Sequence, residues 1–212
     1  MKKFKDVIIM DKKSVYIEES VVLGRNVIIY PNNYINGNTI IGDGTTLLPN
    51  NCIFDCIIGE NCSISCSYLE KSTIGNYVSI GPFARLRPNS EIKDNCHLGN
   101  FVEVKNSTLL EGTKAGHLAY IGDADIGKNV NVGCGAIFVN YNGRVKNRTL
   151  VGDNAFIGSN VNLIAPTKIA NNTYIAAGAT VTDNTNEYDF VIGRVKPIIK
   201  SQKAKKYLKE TK

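Results

Sequence analysis

The sequence predicts an all-β fold, a parallel β-helix built from repeated six-residue units, and three observations support this prediction. Aliphatic residues recur at every sixth position over long stretches of the chain. Small residues recur four positions after them, and glycine often follows them directly. The aliphatic series are Ile17, Leu23, Ile29, Ile35, Ile41, Leu47 and Ile53; Ile74, Ile80, Leu86, Ile92, Leu98 and Val104; and Val151, Ile157, Leu163, Ile169, Ile175 and Val181.

A spacing of six fits neither an α-helix, with its period of 3.6, nor a continuous strand, with its period of 2. It fits a short strand followed by a turn, and three such units would make a triangular coil of about 18 residues. Each aliphatic side chain would point inward, while small residues such as Ala84 and Ala155 fit near the corners. Stacked coils bury a continuous apolar column. The alternative, a β-sandwich, would require the spacing to arise by accident.

The regularity of the repeat divides the chain into three parts. We expect an N-terminal extension over 1–16, a β-helix domain over 17–187, and a C-terminal arm with a basic tail over 188–212. The largest interruption runs from 138 to 150 and contains the turn sequence Asn140-Tyr141-Asn142-Gly143. A loop that protrudes from a rigid solenoid is a typical place for a binding site.

Charge and hydropathy narrow the choice of partners. Six lysines and one glutamate lie between 200 and 212, so most of the net charge of +6 belongs to the tail. The tail could be solvated or could contact an acidic ligand, and the nearly neutral body argues against nucleic acid. No apolar run approaches the roughly 20 residues that span a membrane, and the run from Val7 to Met10 is too short for a signal peptide. We therefore expect a cytoplasmic protein with no membrane contact.

The cysteines and histidines do not predict a metal site. Four of the six cysteines are spaced C-x3-C-x5-C-x3-C, which is not a common zinc pattern. His97 and His117 are the two histidines of the chain, whereas a zinc enzyme on such a helix needs three. Disulfides are rare in the cytosol. We expect the cysteines to be small, buried filling of the core.

His117 and several cations are candidates for chemistry. His117 lies where the repeat is irregular, and an imidazole there could accept the proton of an amine that attacks a thioester. It could equally be a hydrogen-bonded structural residue. Arg87, Lys105 and Lys146 could bind a phosphate, with Arg87 able to contact it bidentately. The alternative is that these cations are ordinary surface charges.

Four motifs make a family resemblance specific. They are Ile80-Gly81-Pro82-Phe83-Ala84-Arg85-Leu86-Arg87-Pro88, Gly99-Asn100-Phe101-Val102-Glu103-Val104-Lys105, Lys114-Ala115-Gly116-His117-Leu118 and Asn140-Tyr141-Asn142-Gly143. The chain resembles the acetyltransferase half of the bacterial bifunctional glucosamine-1-phosphate N-acetyltransferase / N-acetylglucosamine-1-phosphate uridylyltransferase. The resemblance is close from about Ile74 to Arg194.

The resemblance implies a left-handed β-helix that forms a homotrimer with active sites between subunits. It implies acetyl transfer from acetyl-CoA to glucosamine 1-phosphate for UDP-N-acetylglucosamine and cell-wall precursor synthesis, with His117 as the general base. The residues it implies for the sugar phosphate are Arg87, Lys105, Tyr120, Asn131 and Lys146. Those it implies for acetyl-CoA are Cys134, Asn140, Tyr141, Ser159, Ala177 and Arg194.

Two residues depart from the family pattern. Cys134 stands where the family usually has alanine, and a backbone contact to the coenzyme would tolerate this small side chain. Asn142 stands where the family usually has aspartate, which keeps the turn but removes a charge.

A glycine-rich nucleotide-binding stretch like that of the family's uridylyltransferase half is not found in the sequence. We therefore expect no uridylyl transfer and no magnesium requirement, with uridylyl transfer left to a separate uridylyltransferase. Two alternatives remain open at this stage. One is a related acetyltransferase for another amino sugar, and the other is a non-catalytic trimeric scaffold for a separate nucleotidyltransferase.

Overall fold

The computed structural model describes residues 6–208, which form 28 short strands and one 3-10 helix, Lys203–Lys206. Every pairing between these strands is parallel, and each strand pairs with strands in adjacent coils. The chain therefore winds as a parallel β-helix of about 10 coils, which confirms the predicted fold class. Within the described residues, no helix is long and apolar enough to cross a membrane.

The coils are triangular, and their strands align into three faces. The first face contains β1 Ile8–Ile9, β4 Ile28–Ile29, β7 Thr46–Leu47, β10 Ser63–Ile64, β13 Ser79–Ile80, β20 Asn131–Val132, β23 Phe156–Ile157, β26 Tyr174–Ile175 and β28 Phe190–Val191. The second face contains β2 Tyr16–Ile17, β5 Tyr34–Asn36, β8 Cys52–Phe54, β11 Tyr68–Glu70, β14 Arg85–Leu86, β21 Ile137–Val139, β24 Asn162–Ile164 and β27 Thr180–Val181.

The third face is a separate 9-stranded sheet. It contains β3 Val22–Leu23, β6 Ile40–Ile41, β9 Ile57–Ile58, β12 Ser72–Ile74, β15 Ser90–Ile92, β17 Thr108–Leu109, β19 Ala124–Ile126, β22 Thr149–Val151 and β25 Thr167–Ile169. Two long strands, β16 His97–Lys105 and β18 Lys114–Gly122, run from the first face around a corner into the second. These two strands carry the histidine and lysine that the sequence predicts to be functional.

The aliphatic repeat forms the core because equivalent side chains stack in register. Ile80 pairs with Leu98, and Leu98 pairs with Ala115 in the next coil. All three side chains are buried in one continuous apolar cluster. Burial of apolar surface contributes about 25 cal/mol per Å², so this column is the main source of stability.

The corners require a left-handed backbone, which glycine and asparagine adopt at the lowest cost. Asparagines with φ between 54° and 57°, namely Asn129, Asn154 and Asn172, occupy one corner in successive coils. Glycine is also needed where coils approach closely. A Cβ at Gly99 would lie 1.8 Å from the carbonyl oxygen of Gly116 in the next coil.

The strands extend beyond the predicted bounds of the β-helix. β1 pairs with β4 inside the predicted extension 1–16, and β28 pairs with β26 inside the predicted arm 188–212. Ile9 and Val191 pack against the core, so apolar burial continues where the six-residue spacing is lost. The protruding loop is also shorter than 138–150, because residues at both of its predicted ends belong to β21 and β22 and only 140–148 lies outside the strands.

The cysteines only partly follow the prediction of buried filling. Cys56, Cys62 and Cys96 are buried, and burial raises the pKa of Cys56 and of Cys96 to about 11. Cys134, in contrast, is exposed, because its position at a corner points the side chain outward. All six cysteines are free thiols.

We predict that Leu98→Ala lowers the free energy of unfolding by about 2–5 kcal/mol, because it leaves a cavity in the stacked column. His97 is the exposed neighbour of Leu98 on the same strand, and His97→Ala should change the free energy by about 0.5 kcal/mol or less. Urea unfolding at one fixed protein concentration measures both values. Equal losses in the two variants would contradict the alternation of buried and exposed residues.

Candidate active site

His117 lies on the corner between the first and second faces, where its side chain is exposed. It is paired in register with Asn100 one coil below. The Nδ1 atom of His117 lies 2.9 Å from the Oδ1 atom of Asn100. Because a carboxamide oxygen only accepts hydrogen bonds, a neutral imidazole in this contact carries its proton on Nδ1 and its lone pair on Nε2. The histidine is thus held in the tautomer that a general base requires.

Three of the residues predicted to contact acetyl-CoA form a column with this histidine. Strand register aligns successive coils so that the corner positions stack in the order Asn100, His117, Cys134, Ser159 and Ala177. Backbone hydrogen bonds join the coils at this corner, with Asn160 N donating to Cys134 O at 2.8 Å and Gly178 N donating to Ser159 O at 2.8 Å. We call this series the histidine column.

Arg194 joins the histidine column from the C-terminal arm. Its Nη1 atom donates to the carbonyl oxygen of Ala177 at 3.0 Å. The guanidinium is exposed, so it remains accessible to an anion. The four predicted coenzyme residues Cys134, Ser159, Ala177 and Arg194 therefore lie along one line above His117.

A second group of predicted residues meets at the corner between the second and third faces. Arg87, Lys105 and Lys146 line a cavity of about 390 Å³ there, and we call them the cation cluster. Glu103 accepts a hydrogen bond from Arg87 at 3.0 Å. The Lys105 ammonium lowers the pKa of Lys146, because it contacts Lys146 and adds a like charge. An anion bound among these cations would relieve the repulsion between them.

Asp123, which was not predicted from the sequence, lines the same cavity as the cation cluster. Its carboxylate is 3.4 Å from the Lys105 ammonium, and Asn106 and Asn140 donate hydrogen bonds to it from their side chains. Burial alone would raise the pKa of Asp123, but these donors and the Lys105 charge outweigh that effect and hold the pKa below its usual value. The buried carboxylate is therefore charged at neutral pH.

The loop 140–148 begins beside this carboxylate and is fixed at its other end. Asn140 is buried, and its side-chain nitrogen lies 3.4 Å from the Tyr120 hydroxyl oxygen. Arg148 forms an ion pair with Asp125 and donates to the carbonyl oxygen of Asn106 at 3.0 Å. These contacts present Tyr141, which is exposed, at the outer side of the loop.

Asn142 stabilises the turn of the loop through its side-chain oxygen. Its Oδ1 atom accepts hydrogen bonds from the backbone nitrogens of Arg144 at 3.0 Å and Val145 at 2.9 Å. Aspartate has an equivalent oxygen, so either residue can close this turn.

Asn131 is not brought to the cation cluster within one chain. It lies exposed on the first face in β20, whereas the cations lie at the far corner of the second face. Tyr120 lies on the second face, between His117 and the cation cluster. A single chain thus presents a base at one end of the second face and cations at the other. Asn131 remains outside this arrangement.

Comparison with known proteins agrees with this architecture. Residues 71–106 and 148–183 match the family model described as bacterial transferase hexapeptide (six repeats). The chain is 50% identical over 194 residues to the bifunctional protein GlmU of Geobacillus sp. (strain WCH70), which covers 92% of this chain and 42% of that protein. It is 51% identical over 190 residues to GlmU of Caldicellulosiruptor saccharolyticus, covering 90% and 41%.

Over its hexapeptide repeats the chain is similar to the C-terminal acetyltransferase half of GlmU. The similarity confirms the family resemblance drawn from the four motifs. The chain spans less than half the length of these curated relatives, consistent with one half of a bifunctional protein.

Two solved structures share the fold. They are UDP-N-acetylglucosamine acyltransferases from Arabidopsis and Campylobacter jejuni, with TM-scores of 0.52 and 0.54. The identities are 15% and 17%, and the alignments cover 84% and 82% of this chain and 69% and 68% of those chains. At such low identity they show the fold alone, which is the left-handed β-helix that the resemblance implied.

Among residues 6–208, no group of three or more His, Cys, Asp or Glu side chains is placed to hold a metal ion.

We predict that inorganic phosphate binds to the cation cluster and that Arg87→Gln weakens this binding about tenfold or more, because hydrogen bonds to charged groups contribute strongly. Arg25→Gln is the matched control, since Arg25 is also paired with a carboxylate but lies on a coil near the N-terminus. A ³¹P NMR titration measures the affinity. Equal weakening in both variants would show that phosphate responds only to net charge.

Proposed function

We propose that the chain transfers the acetyl group of acetyl-CoA to the amine of glucosamine 1-phosphate. The products are N-acetylglucosamine 1-phosphate and free CoA. The observation that carries this proposal is the second face, with a histidine that keeps a free Nε2 at one end and three cations at the other. This pair of groups can bind an acceptor that carries both an amine and a phosphate. Homology to GlmU supports the same reaction.

In the proposed chemistry His117 acts as the general base. The amine of the acceptor attacks the thioester carbonyl carbon, and Nε2 of His117 takes the proton that the nitrogen loses. The tetrahedral intermediate then collapses, the carbon–sulfur bond breaks, and the thiolate receives that proton as CoA leaves. Asn100 keeps the proton of Nδ1 in place, so that Nε2 is the atom that accepts. No serine or cysteine nucleophile is required by this route.

The cation cluster would bind the phosphate of the acceptor. Arg87 offers a planar pair of donors, and Lys105 and Lys146 add two flexible ammonium groups. A phosphate carries close to two negative charges, which suits a pocket in which three cations meet. Tyr120 lies between the phosphate position and His117 and would contact the sugar ring.

The histidine column would bind acetyl-CoA along the axis of the β-helix. Its small side chains at Ser159 and Ala177 leave the backbone accessible, and Arg194 offers a cation for a coenzyme phosphate. The loop residues Asn140 and Tyr141 would approach the thioester end. The exposed thiol of Cys134 would lie beside the coenzyme.

We also propose that the active unit is a homotrimer. Asn131 lies on the first face, so it can reach the acceptor only if a second copy brings that face to the second face of this one. Exposed apolar side chains at Phe83, Phe101 and Leu118 surround the corner that carries His117, as expected where copies pack together.

The product of the proposed reaction, N-acetylglucosamine 1-phosphate, would supply UDP-N-acetylglucosamine and cell-wall precursor synthesis.

We predict that His117→Ala lowers kcat about 100-fold to 10,000-fold, because the general base is lost. The matched control is His97→Ala, since His97 is also exposed and also places Nδ1 in a hydrogen bond, 2.6 Å from the Ser79 hydroxyl oxygen. CoA release from acetyl-CoA, with glucosamine 1-phosphate as acceptor, measures turnover. Absence of turnover in the folded wild-type protein would refute the acceptor, and a panel of other amino sugars would then test the alternative.

We predict that co-expression of Asn131→Ala and His117→Ala chains restores activity that neither variant has alone. If each site takes His117 from one copy and Asn131 from another, random mixing leaves roughly a quarter of the sites intact. Turnover of the mixture, compared with each variant at the same total concentration, measures the effect. If both residues serve a site within one chain, the mixture stays inactive.

A further inference from the structure

The buried carboxylate of Asp123 connects two parts of the site that the proposed mechanism uses separately. Its side chain is 9% exposed. One oxygen lies 3.4 Å from the Lys105 ammonium and also accepts a hydrogen bond from the Asn140 side chain, while the other accepts from Asn106. Lys105 belongs to the phosphate pocket, and Asn140 begins the loop that would approach the thioester.

The fold itself does not require a carboxylate at this position. Asp123 occupies a corner with φ of 51°, and the equivalent corner residues of the two preceding coils are Asn106 with φ of 47° and Asn89 with φ of 62°. Asparagine adopts this left-handed conformation readily. Lys71, with φ of 44°, occupies the same corner in another coil, so the left-handed turn does not require the negative charge.

A second aspartate at this corner shows what a purely structural carboxylate does. Asp55 has φ of 50°, and its Oδ1 atom accepts a hydrogen bond from the backbone nitrogen of Asn38 at 2.9 Å. The carboxylate of Asp55 thus binds backbone, as in a turn. The carboxylate of Asp123 instead accepts hydrogen bonds only from side chains, and two of these side chains belong to the proposed site.

We propose that Asp123 is a positioning residue that couples the phosphate pocket to the loop 140–148. Its carboxylate holds the Lys105 ammonium and the Asn140 side chain at the same time. An ammonium has three N–H donors, so Lys105 can keep its contact with Asp123 while it donates to a phosphate. Asn140 is held beside Tyr120, and this fixes the start of the loop. The inference rests on the proposed function, because it assigns the two coupled parts to acceptor and donor.

Burial and charge strengthen the contacts of Asp123 with Lys105 and Asn140. Hydrogen bonds from Asn106 and Asn140 and the charge of Lys105 hold the pKa of Asp123 low despite its burial, and two of these three partners belong to the two parts of the site. Charged hydrogen bonds of this kind are about twice as strong as neutral ones. Removal of the charge should therefore loosen both Lys105 and Asn140.

The first test compares Asp123→Asn with the matched control Asp55→Asn. Both replace an aspartate by an asparagine at the same left-handed corner. Asp123→Asn should raise KM for glucosamine 1-phosphate and KM for acetyl-CoA about tenfold each, with a smaller change in kcat. Asp55→Asn should leave both KM values as in the wild type. A rise for one substrate alone, or the same result in both variants, would overturn the coupling.

The second test needs no substrate and therefore separates this inference from the proposed function. Trypsin cleaves after arginine and lysine, and the loop contains Arg144, Lys146 and Arg148. Asp123→Asn should accelerate cleavage within 140–148 about tenfold, as mapped by mass spectrometry, while Asp55→Asn should not. Equal cleavage in the two variants would overturn the coupling, even if the wild type turns over normally. Failure of the wild type to acetylate glucosamine 1-phosphate would instead count against the proposed function.

If Asp123→Asn does not fold, Asn140→Ala provides the same test from the other partner. Loss of Asn140 removes one of the three donors that fix the Asp123 carboxylate, so Lys105 is held less firmly and KM for glucosamine 1-phosphate should rise together with KM for acetyl-CoA. A rise in KM for acetyl-CoA alone would show that Asn140 acts without Asp123.

Discussion

Parallel strand register decides which side chains of this protein meet. Hydrogen bonds between successive coils hold Leu98 against Ala115 and, on the same pair of strands, Asn100 against His117. The buried pair stabilises the stack, and the exposed pair fixes the histidine tautomer. One set of backbone contacts therefore produces both the core and the geometry of the candidate base. A shift of one residue would move apolar side chains outward and separate the histidine from its partner.

Charge in the site is balanced locally. The cations Arg87 and Lys105 each have a carboxylate partner in the absence of substrate, Glu103 and Asp123 respectively. Of the two carboxylates, Asp123 is the more buried, and its three side-chain donors replace the water it has lost. This arrangement keeps several cations together before any anion arrives. Arg87 can exchange Glu103 for a phosphate because both side chains are partly exposed, whereas Lys105 retains its buried partner.

The sequence predicted the fold well because few folds can bury aliphatic side chains that recur at every sixth residue. It predicted His117, Arg87 and Lys105 through motifs, and the structure places the latter two beside Lys146 in one cavity. Asp123 was not among the predicted residues. An aspartate at a corner resembles any turn residue, and its role depends on partners 17 and 18 positions away in the chain.

The same limit applies to the ends of the β-helix. The spacing rule omitted β1 and β28, whose apolar residues lie out of phase with the repeat although they pair with it in space. It also could not show that Asn131 lies on a different face from the cation cluster. The six-residue spacing assigns a residue to a face only where the coils are regular. The site lies among irregular coils, so the spacing alone does not place its residues on their faces.

The coils between residues 8 and 70 contain none of the residues assigned to the site, and they are built like those that do. Neighbouring coils are about 4.8 Å apart along the axis. Addition or removal of one whole coil in this part would translate the site by that step and leave every contact within it intact. These N-terminal coils therefore set the distance between the site and the first coil, and that distance can change only in whole steps of one coil.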